Sequence, residues 1–65
     1  MKIIVNGQMR ESGASRLDAA LEELGYGGTV VATALNGRFV PQAARARQQL
    51  REGDRLEIVA PMQGG

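Results

Sequence analysis

The sequence contains no cysteine, no histidine and no tryptophan, and its only aromatic residues are Tyr26 and Phe39. Each absence excludes something. Without cysteine there is no disulfide framework, no thiolate metal site and no cysteine nucleophile. Without histidine the usual proton shuttle and the commonest metal ligand are gone, and with them any Ser-His-Asp triad. The N-terminal apolar run, Ile3-Ile4-Val5, is far too short for a signal peptide or a membrane span. Charge of one sign is also scarce: the net charge is +1, which by itself implies neither a nucleic-acid nor a membrane partner.

What remains is a short, ordinary-looking globular composition. Sixty-five residues suffice for one domain, and a chain of that size buries only about 60% of its unfolded surface. Hydrophobic residues make up 43% and charged residues 23%, which fits a cytoplasmic globular protein. Neither disulfide nor metal supports the fold, so a well-patterned hydrophobic core has to.

Lys2 to Val5 is β-branched and reads as a strand. Asn6-Gly7 follows, a strong hairpin signal because both central positions of a type I′ turn need positive φ. Gln8 to Glu11 is the polar return strand, suited to a sheet edge. Ser15 to Asp18 reads as a helix start, with the Ser15 hydroxyl as a cap and Asp18 in the first turn. Leu17, Ala20, Leu21 and Leu24 form one apolar stripe, and Gly25 fits the left-handed position that closes a helix. Thr29 to Leu35 is β-rich, Asn36-Gly37 marks a second turn, and Arg38-Phe39-Val40 is a short strand ended by Pro41. Gln42 to Leu50 reads as a short turn of helix plus loop, Glu52-Gly53-Asp54 as a turn. Arg55 to Ala60 is a strand with one buried face, stopped by Pro61.

Two antiparallel hairpins thus flank one helix, and the first and last strands are both strongly apolar. Parallel strands need a crossover, and one helix covering one sheet face supplies it. The economical arrangement places the first and last strands side by side in the centre: an α+β, β-grasp (ubiquitin-like) fold, with a mixed four- to five-stranded sheet and one main helix on one face. Residues 1–61 form this domain and 62–65 a flexible C-terminal tail. By alternation Ile3, Val5, Leu56 and Ile58 face Leu17, Leu21 and Leu24 of the helix. Ile4 and Val59 then fall on the opposite face, with Phe39 and Met62 nearby, as a docking surface for a protein partner.

The carboxylates make no acid/base pair: Glu22 and Glu23 are adjacent and point different ways on a helix, and Asp54 fits a turn in which it bonds local backbone N–H groups. Gly25-Tyr26-Gly27-Gly28 follows a helix and lacks a phosphate-loop pattern. Arg45, Arg47, Arg51 and Arg55 offer a basic patch with one nearby aromatic, Phe39, which fits an acidic protein surface better than RNA. The remaining candidate is the end of the sequence, Met62-Gln63-Gly64-Gly65. Taken alone, a terminal Gly-Gly also fits a frayed end. Two residues without side chains ending in a carboxylate are nevertheless the narrowest peptide that can enter a slot. Extended, these four residues span roughly 13 Å at about 3.3 Å each. A carboxylate is inert until activated. Adenylation by ATP turns it into a mixed anhydride open to sulfur or nitrogen nucleophiles.

Three pieces of sequence are jointly specific. They are Leu35-Asn36-Gly37-Arg38-Phe39-Val40-Pro41, Glu52-Gly53-Asp54-Arg55-Leu56-Glu57-Ile58, and Pro61-Met62-Gln63-Gly64-Gly65. With the opening Lys2-to-Gly7 stretch and the Leu17-to-Gly25 helix, they closely resemble the ThiS family, the sulfur carriers of thiamin biosynthesis, over essentially the whole chain. Ala43-Ala44-Arg45-Ala46-Arg47 departs from the resemblance by lacking an aromatic residue common there in many relatives. The resemblance implies a carrier rather than an enzyme, with no cofactor of its own. A ThiF-like enzyme uses ATP to adenylate Gly65. A sulfur donor such as a cysteine desulfurase converts Gly65 to a thiocarboxylate, and a ThiG-like thiazole synthase takes the sulfur. Met62, Gln63, Gly64 and Gly65 thread into partner active sites, and Ile4, Phe39, Val59 and Met62 dock. The absence of cysteine suits such a carrier, because an internal thiol could attack the activated acyl group. Two alternatives stay open: a related carrier for molybdopterin or other sulfur transfer, and a β-grasp binding module with no chemistry at its end.

Overall fold

A computed structural model of the chain describes residues 1–61; the expected tail, Met62 to Gly65, lies outside the described residues. The elements are β1 (Lys2–Val5), β2 (Gln8–Glu11), α1 (Leu17–Glu23), β3 (Ala32–Leu35), β4 (Arg38–Val40), a 3-10 helix (Gln42–Arg47) and β5 (Arg55–Val59). The five strands form one sheet in the order β2-β1-β5-β3-β4. β1 and β5 run parallel, and the other neighbouring pairs are antiparallel. This is the β-grasp arrangement, with the first and last strands adjacent and α1 as the crossover.

Both Asn-Gly pairs adopt the left-handed backbone that a two-residue hairpin needs: φ is 50° and 83° at Asn6 and Gly7, and 52° and 83° at Asn36 and Gly37. These turns set the register. Ile4 pairs with Met9 and with Arg55, and Val5 with Leu56. Leu35 pairs with Leu56, and Thr33 with both Ile58 and Val40. Paired residues share a face, so Ile3, Val5, Leu35, Val40, Leu56 and Ile58 project to one side, where Leu17, Ala20 and Leu21 of α1 complete the core with Val31 and Leu50. Leu24 is half-buried against the same cluster.

Two local features differ from the sequence reading. α1 begins after Arg16, with no side-chain cap. The Ser15 carbonyl accepts from Leu50 N (3.0 Å), and Leu17 N donates to the Gln48 carbonyl (2.9 Å). A strand-like bridge, Arg16 with Gln49, therefore does the work expected of a serine hydroxyl. The partner lies more than thirty positions along the chain, out of reach of any local capping rule. The second difference is that β3 starts only at Ala32. Gly28 takes φ +79° and Thr29 N donates to the Tyr26 carbonyl, so the β-branched stretch opens as a turn, with Val30 78% exposed and Val31 buried.

Thr33 is fully buried yet polar. Its hydroxyl donates to the Val40 carbonyl (2.8 Å) and accepts from Arg45 Nε (3.1 Å), while Arg45 Nη2 donates to the Val31 carbonyl (2.6 Å). Arg45 thus pins the 3-10 helix to β3 and to the loop before it. At the C-terminal end of α1, Glu23 reaches Ser12 and Gly13. The Ser12 hydroxyl donates to one carboxylate oxygen (2.6 Å) and Gly13 N to the other (3.1 Å). The Ser12 hydroxyl, reinforced by the Gly13 N–H, holds the Glu23 carboxyl below its ordinary pKa. No helix among the described residues is long and apolar enough to cross a membrane.

Candidate functional site

The face of the sheet away from α1 has no element packed over it among the described residues. Its contents follow from the register. Met9, Ile4 and Arg55 lie in one row, Glu57, Ala34 and Phe39 in the next, and Val59 with Ala32 beyond. Phe39 is 69% exposed, Val59 64% and Met9 67%, while Ile4 is half-buried. The apolar side chains do not merge into one continuous patch. Arg55 and Glu57, both exposed and two apart on central β5, separate the Ile4–Met9 pair from Phe39 and Val59. An open depression of about 790 Å³ lies here, lined by Ile4, Gly7, Asn36, Gly37, Arg55, Leu56 and Glu57. Its rims are the two Asn-Gly turns. The face thus carries apolar side chains on either side of a charged central strip. Met62, expected at its margin, lies outside the described residues.

The four arginines do not share a surface. Arg45 is turned inward on the α1 side and committed to Thr33 and Val31, whereas Arg55 stands on the outer face. Among the described residues no cluster of carboxylates could hold a metal ion. Asp54 does what its turn position implies and accepts from Arg51 N (2.8 Å).

The sequence reading assigned the two asparagines only a backbone role. In the structure both side chains reach β5. Asn36 Oδ1 accepts from Arg55 N (3.0 Å), and its Nδ2 donates to Asp54 Oδ1 (3.0 Å). Asn6 Oδ1 accepts from Ile58 N (2.8 Å), and its Nδ2 donates to the Ile58 carbonyl (3.1 Å). The central strand is therefore latched from the β1–β2 turn on one side and from the β3–β4 turn on the other. A usable signal was present: aspartate and glycine also fit left-handed turns, but only an amide offers a donor and an acceptor together.

The fold has counterparts among known proteins. The model of the ThiS family matches residues 3–65. The chain belongs to the ThiS family. Its structure superimposes on the crystal structure of the thiamine biosynthesis protein ThiS from Geobacter metallireducens with a TM-score of 0.79, at 27% identity and with both chains fully covered. The chain is also 41% identical, over 66 aligned positions, to part of a thiazole synthase of Paramagnetospirillum magneticum (strain ATCC 700264 / AMB-1). It spans 20% of the length of that relative, so a ThiS-like stretch is one part of a larger protein there.

Proposed function

We propose that this chain is a sulfur carrier of thiamin biosynthesis and that its working group is the α-carboxylate of Gly65. One observation carries the reading: the ThiS family match runs through to residue 65, and so includes Gly64-Gly65 as well as the fold. A ThiF-like enzyme would bring ATP. A Gly65 carboxylate oxygen attacks the α-phosphorus, pyrophosphate leaves, and an acyl adenylate forms. A persulfide sulfur, supplied by a donor such as a cysteine desulfurase, then attacks the acyl carbon and AMP leaves. Cleavage of the resulting acyl disulfide by a thiol releases the thiocarboxylate. A ThiG-like thiazole synthase accepts the sulfur, and the carrier returns as carboxylate. The likeness to part of a thiazole synthase supports that last partner.

In this reading the carrier contributes surface and tail, and partner enzymes contribute catalysis in the cytoplasm. Ile4, Phe39, Val59 and Met62 dock, while Met62, Gln63, Gly64 and Gly65 enter the partner's active site. Glycines suit that end because nothing projects from them to block a narrow channel. The test is intact-mass measurement after incubation with ATP, a ThiF-like enzyme and a sulfur source. The expected result is a mass change matching one oxygen replaced by sulfur, abolished when Gly65 is deleted, with the melting temperature unchanged. Failure to form either adenylate or thiocarboxylate with the activating enzymes of the same organism would overturn the proposal.

A further inference from the structure

The path of β5 past the end of β1 carries an inference that goes beyond the carrier reading and rests on it. In the parallel pair, alternate residues of β5 turn their main-chain groups toward β1. Asp54 and Leu56 do so, accepting from Ile4 N (2.8 Å) and Asn6 N (2.9 Å). The next residue with that orientation is Ile58. No β1 main chain lies opposite it, because the chain turns back at Asn6-Gly7. The Asn6 side-chain amide fills the place. It accepts from Ile58 N and donates to the Ile58 carbonyl, satisfying two groups that a longer β1 would bond with two different residues. On the opposite side β3 pairs with β5 as far as Val59, held across from Ala32. Ile58 and Val59 are thus the last paired positions of the strand before Pro61, and Gly65 follows Ile58 by seven positions.

We propose that Asn6 is a positioning residue for the reaction at Gly65. Its amide fixes where, and in which direction, the chain leaves the sheet, so that a partner docked on the outer face meets the Gly65 carboxylate in its active site. Seven residues reach at most about 23 Å when extended, so the anchor point decides whether docking and chemistry can occur together. Without the Asn6 amide, β3 still holds Ile58 and Val59, so the length of the tether is unchanged and what is lost is the second restraint, from the β1 side, on its direction.

The twin turn provides a matched control. Asn6→Gly and Asn36→Gly each keep a backbone suited to type I′, each remove one asparagine latch on β5, and each add the same unfolded-state freedom. Only the first acts at the end of β5 nearer Gly65. Steady-state adenylation by a ThiF-like enzyme is measured for the full chain and both variants, with folded fraction checked by circular dichroism. For Asn6→Gly the expected result is a kcat about threefold or more below wild type at unchanged KM, because the docking face is intact. For Asn36→Gly kcat should stay within about 1.5-fold, and any effect of its place at the rim of the outer-face depression should appear in KM alone. Asn6→Asp, which keeps the acceptor for Ile58 N, should fall between and serves as the second variant if the glycine form folds poorly. Equal losses in the two glycine variants, or a change confined to KM, would overturn the positioning role. No adenylation of wild type at all would instead overturn the carrier reading beneath it.

Discussion

Replacing Leu56 with alanine tests the account of the core most directly. Leu56 is 1% exposed on the central strand, flanked by Val5 of β1 and Leu35 of β3 and covered by the α1 side of the core. Every neighbour is anchored in a strand or in α1, so the site has little freedom to collapse around the missing atoms. Buried Leu→Ala substitutions cost about 2–5 kcal/mol, and a rigid central site belongs near about 3 kcal/mol or above. At about 0.05–0.15 kcal/mol per residue, a chain of this length has roughly 3–10 kcal/mol of stability in total. The variant should therefore lose a large share of it. With a melting shift of about 4–8 °C per kcal/mol in a domain of this size, about 3 kcal/mol lowers the midpoint by roughly 12–24 °C. Phe39→Ala is the control: Phe39 is larger but 69% exposed, so the change should stay within about 0.5 kcal/mol. Thermal and urea unfolding followed by circular dichroism give both values, with an unchanged urea slope expected for Leu56→Ala. If its midpoint falls by less than about 4 °C, or by no more than that of Phe39→Ala, the placement of Leu56 at the centre of the core is wrong.

Four other outcomes follow from particular positions. Glu23 has its carboxyl pKa lowered by Ser12 and Gly13, so its stabilising effect is complete above the ordinary value of 4.5 and disappears as pH falls through the lower folded-state value. Glu23→Gln should accordingly melt below wild type at pH 7, with the difference shrinking steadily toward pH 3; a gap independent of pH would exclude an ionised contact. Gly37→Ala places a side chain at φ +83° in open space, so its cost is backbone strain alone, about 1–2 kcal/mol by calorimetry, and Asn36→Gly at the preceding turn position should cost less than a comparable Asn36→Val. Val59→Asp adds a charge to the outer face at a 64% exposed position, and should weaken binding to a ThiG-like synthase in titration calorimetry by about tenfold or more while leaving the melting temperature within about 2 °C.

The boundary between what was legible and what was not follows the range of the interactions. Asn6-Gly7 and Asn36-Gly37 declare their turns locally, because few residues tolerate positive φ and the pairs are adjacent. Gly25, at φ +92°, closes α1 for the same reason. The alternation of Ile3 and Val5, and of Leu56 and Ile58, assigns the buried side of two strands, and with one helix between two hairpins little choice of topology is left. The Gly64-Gly65 end and its family resemblance are likewise matters of sequence.

Contacts between distant segments were hidden. The helix start looked like a serine cap and is instead a bridge to residues 48–50. Arg45 looked like part of a basic patch and is spent on Thr33 and Val31. Glu23 was legible only as a carboxylate without an acid/base partner, and it holds the Ser12–Gly13 loop. Alternation along the strands puts Ile4 and Val59 on the outer face, but neither the addition of Met9 nor the division by Arg55 and Glu57 is visible without the register across the strands. Asn6 shows the limit most clearly. Its need for positive φ is written in two adjacent letters, whereas its hold on Ile58 exists only because the parallel pairing of β1 and β5 brings together residues 52 positions apart. Local conformational preference is a property of short sequence. Which donor meets which acceptor is decided only once the chain has closed on itself.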